Sequence, residues 1–376
     1  MKYEINAKTA GSFDCIVVGG GIAGISAAVS AARGGAKTLL IEKSINLGGL
    51  ATNGLISWYE PLCDGEGNQV VYGIAEELIK LSVKYSFDNM PEKWGGNGIN
   101  SAKNGRYATL FSPTVFSLAL DEFVRENGVK LRLDTYSTYP VTEGGICRGV
   151  ICESVGGAEF FEAKTVIDAS GDASICNRAG VPTVEGSNYM SYVAQMYDVN
   201  DADKLKTGDT CTFRQWVNTG SDLLGKGHPE GMGMMSGTSA EDTTEFVEIG
   251  KQRLLDRIKE RDRNSFDIMT LPQMPQYRKI RRIVGDCDFE AIPGKTYPDS
   301  IGKCGDFRPD GAGKIYEIPM GALKNKKVKN LFACGRIISS PDGDAWEVAR
   351  VIPVCALTGE AAGKAAAKQS EENCYE

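Results

Sequence analysis

Six residues near the start of the chain have the types and spacing of a phosphate-binding turn. They read Gly-Gly-Gly-Ile-Ala-Gly and run from Gly19 to Gly24, with glycine at the first, third and sixth positions. The first glycine allows a tight turn, Gly21 lets the backbone approach a pyrophosphate, and Gly24 permits close packing of helix on strand. Glu42 follows 18 positions later, where a carboxylate can accept a hydrogen bond from a ribose hydroxyl. The pattern predicts a dinucleotide site; the alternative is a turn with a structural role only.

The elements around this turn have the periodicity that such a site requires. The apolar run 13–18 predicts a buried strand, and the small and apolar residues of 22–33 predict a helix that the following two glycines end. The run 37–41 predicts a second buried strand. Strand, helix and strand fit one βαβ unit, in which the turn lies at the helix N-terminus.

Three further segments indicate that the dinucleotide is FAD. The segment 47–52 reads LGGLAT, and its paired glycines bring a second backbone stretch against the cofactor phosphates, which a plain NAD domain does not need. The segments 166–172 and 330–336 each read as a short strand that runs into a glycine turn with a polar residue. These two segments could reach the first turn only if the chain folds back to it.

The four elements resemble the flavoproteins with two dinucleotide-binding domains that are related to glutathione reductase and fumarate reductase. More narrowly, the chain resembles the bacterial FAD-dependent oxidoreductase family. This match rests on LGGLATNGL at 47–55, RKIRRIVGD at 278–286 and ARVIPVCALTGEAAG at 349–363. The resemblance spans most of both ends of the chain but little of 186–275, and it implies FAD as the cofactor.

The resemblance also assigns expected roles to single residues. It implies that Asp172 contacts the ribityl chain and that Gly335 and Arg336 lie beside the flavin. The residues expected to contact FAD are Val18, Gly19, Gly21, Ile22, Ala23, Gly24, Glu42, Lys43, Gly48, Gly49, Ala51, Thr52, Ala169, Gly171, Asp172, Gly335, Arg336, Val351 and Ile352.

The last predicted helix, 354–368, supplies a physical argument for a flavin. Pro353 suits the first turn of a helix, where its missing N–H costs nothing. If the helix points its N-terminus at the flavin pyrimidine, its partial positive charge favours the anionic reduced ring. Arg350, just before the helix, would add a full charge and is the first catalytic candidate. The alternative for Arg350 is a surface or structural role.

Two other catalytic candidates rest on weaker patterns. Arg278, Arg281 and Arg282 form a basic cluster in an acidic chain, and guanidinium groups bind carboxylates through paired hydrogen bonds. Arg281 is therefore a candidate for orienting a carboxylated substrate, and the alternative is that the cluster forms ion pairs around a strand. His228 is the only histidine and a candidate acid or base, although a single histidine in a glycine-rich loop is usually just solvated.

Together the patterns predict an α/β protein. We expect a Rossmann-like FAD-binding domain, with a parallel sheet, helices and a β-hairpin crossover, and an inserted α+β substrate or cap domain. The FAD-binding domain is expected at 11–56, 108–185 and 315–370, and the substrate domain at 57–107 and 186–314.

Further elements follow from local signals. A helix is predicted from Ser112–Pro113 to Gly128, and strands 146–154 and 158–164 form a hairpin that precedes a separate strand, 165–169. A strong helix is predicted near 243–261. The stretch WGGNG at 94–98 is a candidate mobile loop.

The composition excludes several classes of protein. The chain has 376 residues and a net charge of -7, which gives no field to attract nucleic acid or an anionic membrane. Without a secretory signal or an apolar stretch of ~20 residues, a cytoplasmic protein is expected. A single histidine excludes a multi-histidine metal centre. Cys147 and Cys152 are not a redox pair, because five residues of strand separate them by about 16 Å.

The leading interpretation is an FAD-dependent oxidoreductase. It would transfer a hydride between flavin N5 and a small organic substrate, which is carboxylated if the arginines bind it. The alternatives are an FAD-dependent biosynthetic or tRNA-modifying flavoprotein, and a flavin-binding sensor or partner protein without turnover. No separate NAD(P)H domain is evident, and the sequence indicates no oligomeric state.

Overall fold

The computed structural model describes residues 6–96, 106–206, 214–222, 225–308 and 310–372. Its strands are β1 Lys8–Val18, β2 Thr38–Ile41, β3 Trp58–Tyr59, β4 Thr109–Leu110, β5 Lys130–Arg132, β6 Tyr136–Glu143, β7 Ile146–Ser154, β8 Gly157–Asp168, β9 Thr183–Glu185, β10 Val193–Asp198, β11 Gln215–Asn218, β12 Phe266–Thr270, β13 Arg281–Ile283, β14 Ser300–Gly305, β15 Ile315–Pro319 and β16 Leu331–Ala333. Its α-helices are α1 Ile22–Arg33, α2 Ile74–Val83, α3 Pro113–Glu126, α4 Ser174–Arg178, α5 Asp203–Lys206, α6 Ala240–Lys259, α7 Asp344–Ala349 and α8 Ile352–Glu372. Short 3-10 turns lie at Gly49–Ala51, Glu92–Trp94, Val199–Asp201, Met320–Leu323 and Gly335–Ile337.

A seven-stranded sheet forms the centre of the molecule. Its order is β5-β2-β1-β8-β7-β6, and β16 also pairs with β8. The strands β5, β2, β1, β8 and β16 run parallel, whereas β7 runs antiparallel to both β6 and β8. The first half of β8 pairs with β7, and its last three residues pair with β16. This architecture confirms the predicted α/β class with a mainly parallel sheet, helices and a hairpin crossover.

The carboxyl ends of the parallel strands lie along one edge of this sheet. Val18 at the end of β1 pairs with Ile41 of β2 on one side and with Asp168 of β8 on the other. Ala333 at the end of β16 pairs with Asp168. Ligands of open α/β sheets bind at this edge, so the topology brings the turns after β1, β2, β8 and β16 to one place.

Helices α1 and α8 pack closely and in parallel. A Cβ on Gly359 would lie 2.1 Å from the carbonyl oxygen of Ala23, and a Cβ on Gly363 would lie 2.3 Å from that of Ala27. Both helix N-termini therefore point to the same edge of the sheet. Since α8 starts six residues further out than α1 in this register, it extends about 9 Å beyond it at 1.5 Å per residue.

Apolar side chains of β1 alternate between two cores. Cys15 and Val17 belong to one buried cluster together with residues of α1 and α8. Ile16 and Val18 belong to a second cluster together with residues of α4. Successive side chains of a strand point to opposite faces, so the sheet is covered on both faces.

The middle of the chain forms a separate antiparallel sheet, in the order β11-β10-β12. Helix α6 lies with it around a third apolar cluster, which includes Met190, Phe246 and Tyr277. The Ser239 side chain accepts a hydrogen bond from the Asp242 N–H and caps α6, which begins at Ala240, three residues before the predicted start. The division into an FAD-binding and a substrate domain stays a prediction.

One predicted boundary is wrong. The segments 158–164 and 165–169 do not form two strands, because β8 continues through them to Asp168. Lys164 interrupts the apolar pattern, but the ladder between β8 and β1 spans the position, and the side chain pairs with Asp14 at 2.8 Å. The predicted hairpin of β7 and β8 is confirmed, and Cys147 and Cys152 are both free thiols.

In the part of the chain that the structure describes, no helix has the length and apolar content needed to cross a membrane. The expected cytoplasmic location stays a prediction. The candidate loop 94–98 lies partly outside the described residues. Within them, Trp94 stacks on Tyr107, with the ring centroids 4.5 Å apart.

Candidate functional site

The turn after β1 leaves the start of α1 open. Gly19 has a φ of +105°, and a Cβ on Gly24 would lie 1.8 Å from the Gly19 carbonyl oxygen, so both positions require glycine. Gly21 precedes the first residue of α1, and no side chain caps the helix there. A Cβ on Gly21 would meet none of the described atoms within 4 Å. Open space therefore faces uncapped N–H groups at a positive helix end, where an anion fits.

The second glycine segment lies directly against this turn. The Gly48 N–H donates to the Gly20 carbonyl at 2.8 Å, and a Cβ on Gly49 would lie 3.1 Å from the Gly21 Cα. Glu42 Oε2 accepts a hydrogen bond from the Gly20 N–H at 2.6 Å. Two backbone segments thus border the same space, with a carboxylate beside them, as a dinucleotide requires.

The turns after β8 and β16 meet on the other side of β1. The Ala169 N–H donates to the Val18 carbonyl at 2.9 Å, which fixes the turn after β8 beside the turn after β1. The Gly171 carbonyl accepts a hydrogen bond from Arg336 Nε at 2.7 Å. The two distant segments therefore reach the first glycine turn, as the folding back of the chain requires.

Asp172 and Arg336 bring opposite charges to this place. Burial acts to raise the pKa of Asp172, but Lys43 and hydrogen bonds outweigh it, so that pKa lies below its usual value. Burial lowers the pKa of Arg336, and the nearby Arg350 acts in the same direction. Asp172 is therefore a carboxylate at neutral pH and can accept hydrogen bonds from hydroxyl groups.

The start of α8 reaches the same space. The Gly335 N–H donates to Thr358 Oγ1 at 2.9 Å, and a Cβ on Gly335 would lie 2.8 Å from the Ala23 Cβ. Val351 directly precedes α8, and Ile352 is its first residue. The positive end of a second helix thus lies at the same edge of the sheet, about 9 Å further out than that of α1.

The remaining predicted FAD contacts occupy the same segments. Val18 ends β1, Ile22 begins α1, and Ala51 and Thr52 follow the second glycine pair in a 3-10 turn. Backbone donors, open space over Gly21 and carboxylates at the edges fit FAD. The contact made by each residue stays a prediction.

A cavity of about 300 Å³ lies next to this edge. Ile56, which follows the second glycine segment, and Arg350, which precedes α8, line its inner side. The full lining consists of Ile56, Ser187, Asn188, Tyr189, Ser191, Val193, Trp216, Asn218, Ser221, Asp222, Met234, Arg278, Lys279, Glu347 and Arg350. Its size suits a small organic molecule.

The inner side of the cavity carries more positive than negative charge. Glu347 accepts a hydrogen bond from Arg350 Nε at 2.8 Å and pairs with Lys279 Nζ at 3.1 Å. Among the described residues, no hydrogen bond or ion pair engages the guanidinium of Arg278. Burial lowers the pKa of Arg278, as do Arg350 and Arg336, yet a guanidinium stays charged at neutral pH. An anion bound here would form charge-assisted hydrogen bonds with Arg278, a desolvated cation that has no partner among the described residues.

Glu60 is a titratable group that the sequence did not single out as catalytic. It directly follows β3, and Trp58 Nε1 donates to its Oε2 at 3.1 Å. Burial raises the pKa of Glu60 to about 7, although Arg106, Arg350 and Arg278 oppose the rise. Its one signal in the sequence is its position shortly after the LGGLATNGL motif at 47–55.

The structure places the other two catalytic candidates differently. Arg281 does not line the cavity, and its Nε pairs with Glu185 at 3.5 Å. His228 Nδ1 accepts from the Met190 N–H at 3.0 Å, so its Nε2 carries the hydrogen and donates to the Met232 carbonyl at 3.0 Å. Both nitrogens of His228 therefore bond to backbone. Of the three candidates, only Arg350 lines the cavity.

Solved structures of similar fold come from several kinds of flavoprotein. A geranylgeranyl bacteriochlorophyll reductase-like protein from Thermoplasma acidophilum is 16% identical, with 96% of this chain and 79% of that chain covered and a TM-score of 0.47. L-proline dehydrogenase from P. horikoshii is 13% identical, with 98% and 95% covered and a TM-score of 0.47. The p-nitrophenol 4-monooxygenase from Pseudomonas putida DLL-E4 is 13% identical, with 97% and 82% covered and a TM-score of 0.47.

No curated protein sequence matches the chain. The FAD dependent oxidoreductase family matches it over residues 14–280 and 235–375, which together include the glycine turns, the cavity and α8. The match covers nearly the whole chain and agrees with a sheet edge that fits FAD. The chain therefore belongs to the FAD-dependent oxidoreductase family, and its cofactor is FAD.

Proposed function

We propose that this flavoprotein transfers a hydride between its flavin and a small carboxylated substrate in the cavity lined by Arg278 and Arg350. The observation that carries the proposal is the Arg278 guanidinium, which lines the cavity without a partner among the described residues. A desolvated cation without a counter-ion is costly, and a substrate carboxylate would supply the counter-ion. FAD, when bound, supplies the two-electron chemistry.

The residues of the chain would bind and orient the substrate. Arg278 would form charge-assisted hydrogen bonds with the carboxylate. Arg350 is fixed by Glu347, so its charge stays at one place beside the cavity and the start of α8. A substrate anchored at one end presents the same carbon each time, and such positioning lowers the entropic part of the barrier.

The mouth of the cavity favours a substrate with an apolar or aromatic part. Tyr189, Trp216 and Met234 line it and remain 42%, 45% and 46% exposed. Exposed aromatic side chains around a concave site provide stacking surface for a ligand. The proposed substrate class is therefore an aromatic or apolar carboxylic acid.

The test is reduction and reoxidation of the bound flavin without oxygen. The holoprotein would be mixed with aromatic and aliphatic acids, including 2-hydroxy, 2-amino and unsaturated acids, together with the matching amides. We expect some of the acids to bleach the flavin absorbance near ~450 nm or to reoxidise the reduced form, whereas their amides do neither. If no acid changes the flavin in either direction, or if amides react as fast as acids, the proposal is wrong.

A further inference from the structure

The side chain of one buried asparagine, Asn188, holds the backbone at Arg278. Asn188 is 5% exposed and lines the cavity together with Arg278. Its Oδ1 accepts hydrogen bonds from the N–H groups of Arg278 and Lys279, both at 2.9 Å. Its Nδ2 donates to the carbonyl of Lys279 at 2.7 Å and to that of Met235 at 3.0 Å. One amide group thus fixes the backbone of the proposed anchor and of its neighbour.

This asparagine lies where the pairing of two strands ends. β13 pairs with β9 as far as Arg281, and the Gly186 N–H then donates to the Ile280 carbonyl at 2.8 Å. At the next positions the Asn188 amide takes the place of a paired backbone, because it offers both an acceptor and donors. Without it, the N–H groups of 278–279 would lose these partners, and the segment would lose its fixed path.

A second side-chain amide fixes the same segment to the FAD-binding edge. Gln276 is 2% exposed, and its Nε2 donates to the Gly54 carbonyl at 2.6 Å. Gly54 belongs to the glycine motif at 47–55. Gln276 also exchanges hydrogen bonds with the backbone of Val193, at 2.7 and 3.0 Å. Loss of Asn188 would therefore free the backbone at Arg278 without detaching the whole segment.

We propose that Asn188 is a positioning residue, which holds the Arg278 guanidinium where the substrate carboxylate binds. The inference rests on the proposed function, because it takes Arg278 as the anchor. A guanidinium on a fixed backbone loses less conformational entropy when the carboxylate arrives, so the fixed backbone increases affinity. Both hydrogens of Nδ2 and two acceptor sites of Oδ1 are already used by the backbone. Asn188 therefore acts through Arg278 and not by its own bond to the ligand.

Another asparagine of the cavity provides a matched control. Asn218 also lines the cavity. Its Nδ2 donates to the Ser221 carbonyl at 2.9 Å, and its Oδ1 accepts from the Gly220 N–H at 2.9 Å. These two bonds shape the turn after β11 and do not involve Arg278. Replacement of either asparagine removes an amide from the cavity wall, but only that of Asn188 should disturb the anchor.

The experiment compares the binding of benzoate and of benzamide to the holoprotein by calorimetry. In Asn188→Ala we expect the benzoate affinity to fall about tenfold and the benzamide affinity to fall less than about twofold, because only benzoate uses the charge of Arg278. Asn218→Ala should leave the ratio of the two affinities within about twofold of its original value, even if both ligands bind more weakly. The flavin absorbance and circular dichroism verify that each variant holds FAD and folds.

A double variant tests whether Asn188 acts through Arg278. In the Arg278→Gln background, Asn188→Ala should change the benzoate affinity less than about twofold, because the guanidinium that Asn188 positions is gone. Asn188→Gln keeps the amide but moves it by one methylene group, and should lower the benzoate affinity roughly threefold. It replaces Asn188→Ala in both comparisons if that variant does not fold.

The outcomes separate this inference from the proposed function. If Arg278→Gln loses benzoate binding but Asn188→Ala keeps the ratio of affinities, the role of Asn188 alone is overturned. The same holds if Asn218→Ala lowers the ratio as much, or if the losses from Asn188→Ala and Arg278→Gln add in the double variant. If benzoate binds no better than benzamide to the unchanged protein, or equally well to Arg278→Gln, the carboxylate site is absent and both proposals fail.

Discussion

The sheet edge at Gly21 and the cavity at Arg278 both suit negative charge, but they offer different atoms to it. At the edge, the donors are backbone N–H groups at the start of α1, and glycine keeps the space over them open. In the cavity, the donors are long side chains whose charges Glu347 balances only in part. An anion bound by backbone N–H groups needs the space that a side chain at Gly21 would fill. An anion bound by side chains depends instead on which of their charges are already paired.

The largest effect is expected at the sheet edge, where backbone N–H groups are the donors. Gly21→Leu should fill the open space over the helix N-terminus and weaken FAD binding by roughly 100-fold or more, because the pyrophosphate could no longer approach. Gly233→Leu is the matched control, since a Cβ there also meets no described atom within 4 Å. The measurement is the flavin absorbance of the purified proteins, with circular dichroism to verify folding. If purified Gly21→Leu contains as much flavin as the unchanged protein, the pyrophosphate does not bind at this turn.

The second largest effect is expected in the cavity, where side chains are the donors. Arg278→Gln should weaken binding of a carboxylate by roughly 10- to 100-fold, the range expected for a charge-assisted hydrogen bond. Arg281→Gln should change it less than about threefold, because Arg281 pairs with Glu185 outside the cavity lining. Both variants should keep their flavin. Equal losses in the two variants would show that net charge, and not the unpaired guanidinium, attracts the ligand.

A smaller effect concerns stability. The pKa of Glu60 is raised in the folded state, so folding favours its protonated form, and its contribution to stability falls as pH rises from about 4.5 towards 7. Glu60→Gln should remove this loss, which we expect to be roughly 1–2 kcal/mol after allowance for contact with water. Urea unfolding at about pH 5.5 and about pH 8 compares the two proteins. A difference in stability that does not change with pH would contradict the raised pKa.

The smallest effect concerns His228. His228→Ala removes two hydrogen bonds to backbone and should cost about 1–2 kcal/mol of unfolding free energy. Flavin content and turnover should stay within about a factor of two. A loss of turnover without a loss of stability would instead assign His228 to the chemistry.

These differences explain what the sequence can predict. Helix α1 and its turn were predicted with correct bounds because strand, glycine turn and helix are adjacent in the chain and each leaves a local pattern. The continuity of β8 was missed because Lys164 interrupts its apolar pattern and because its hydrogen-bonding partners, β1, β7 and β16, come from separate parts of the chain. Fold class and cofactor follow from such local motifs.

The residues of the cavity could be predicted much less well from the sequence. Arg278 and Arg281 are three positions apart, and only the placement of Glu347 and Glu185 shows which guanidinium lies at the cavity without a counter-ion. The raised pKa of Glu60 likewise results from burial, which outweighs the opposing charges of arginines from three separate segments. Charge pairing between distant residues leaves no spacing pattern, so the sequence indicated an anion site but not its residues.

The close packing of α1 against α8 connects helix geometry to electron affinity. The contact between Gly359 and Ala23 determines how far α8 extends beyond α1, and thus which part of a bound cofactor each positive helix end faces. A helix end that faces the flavin ring stabilises its anionic reduced form and makes its reduction potential more positive. A methyl group added at Gly359 would meet the Ala23 carbonyl and shift α8, so if the start of α8 faces the flavin ring we expect the reduction potential to change.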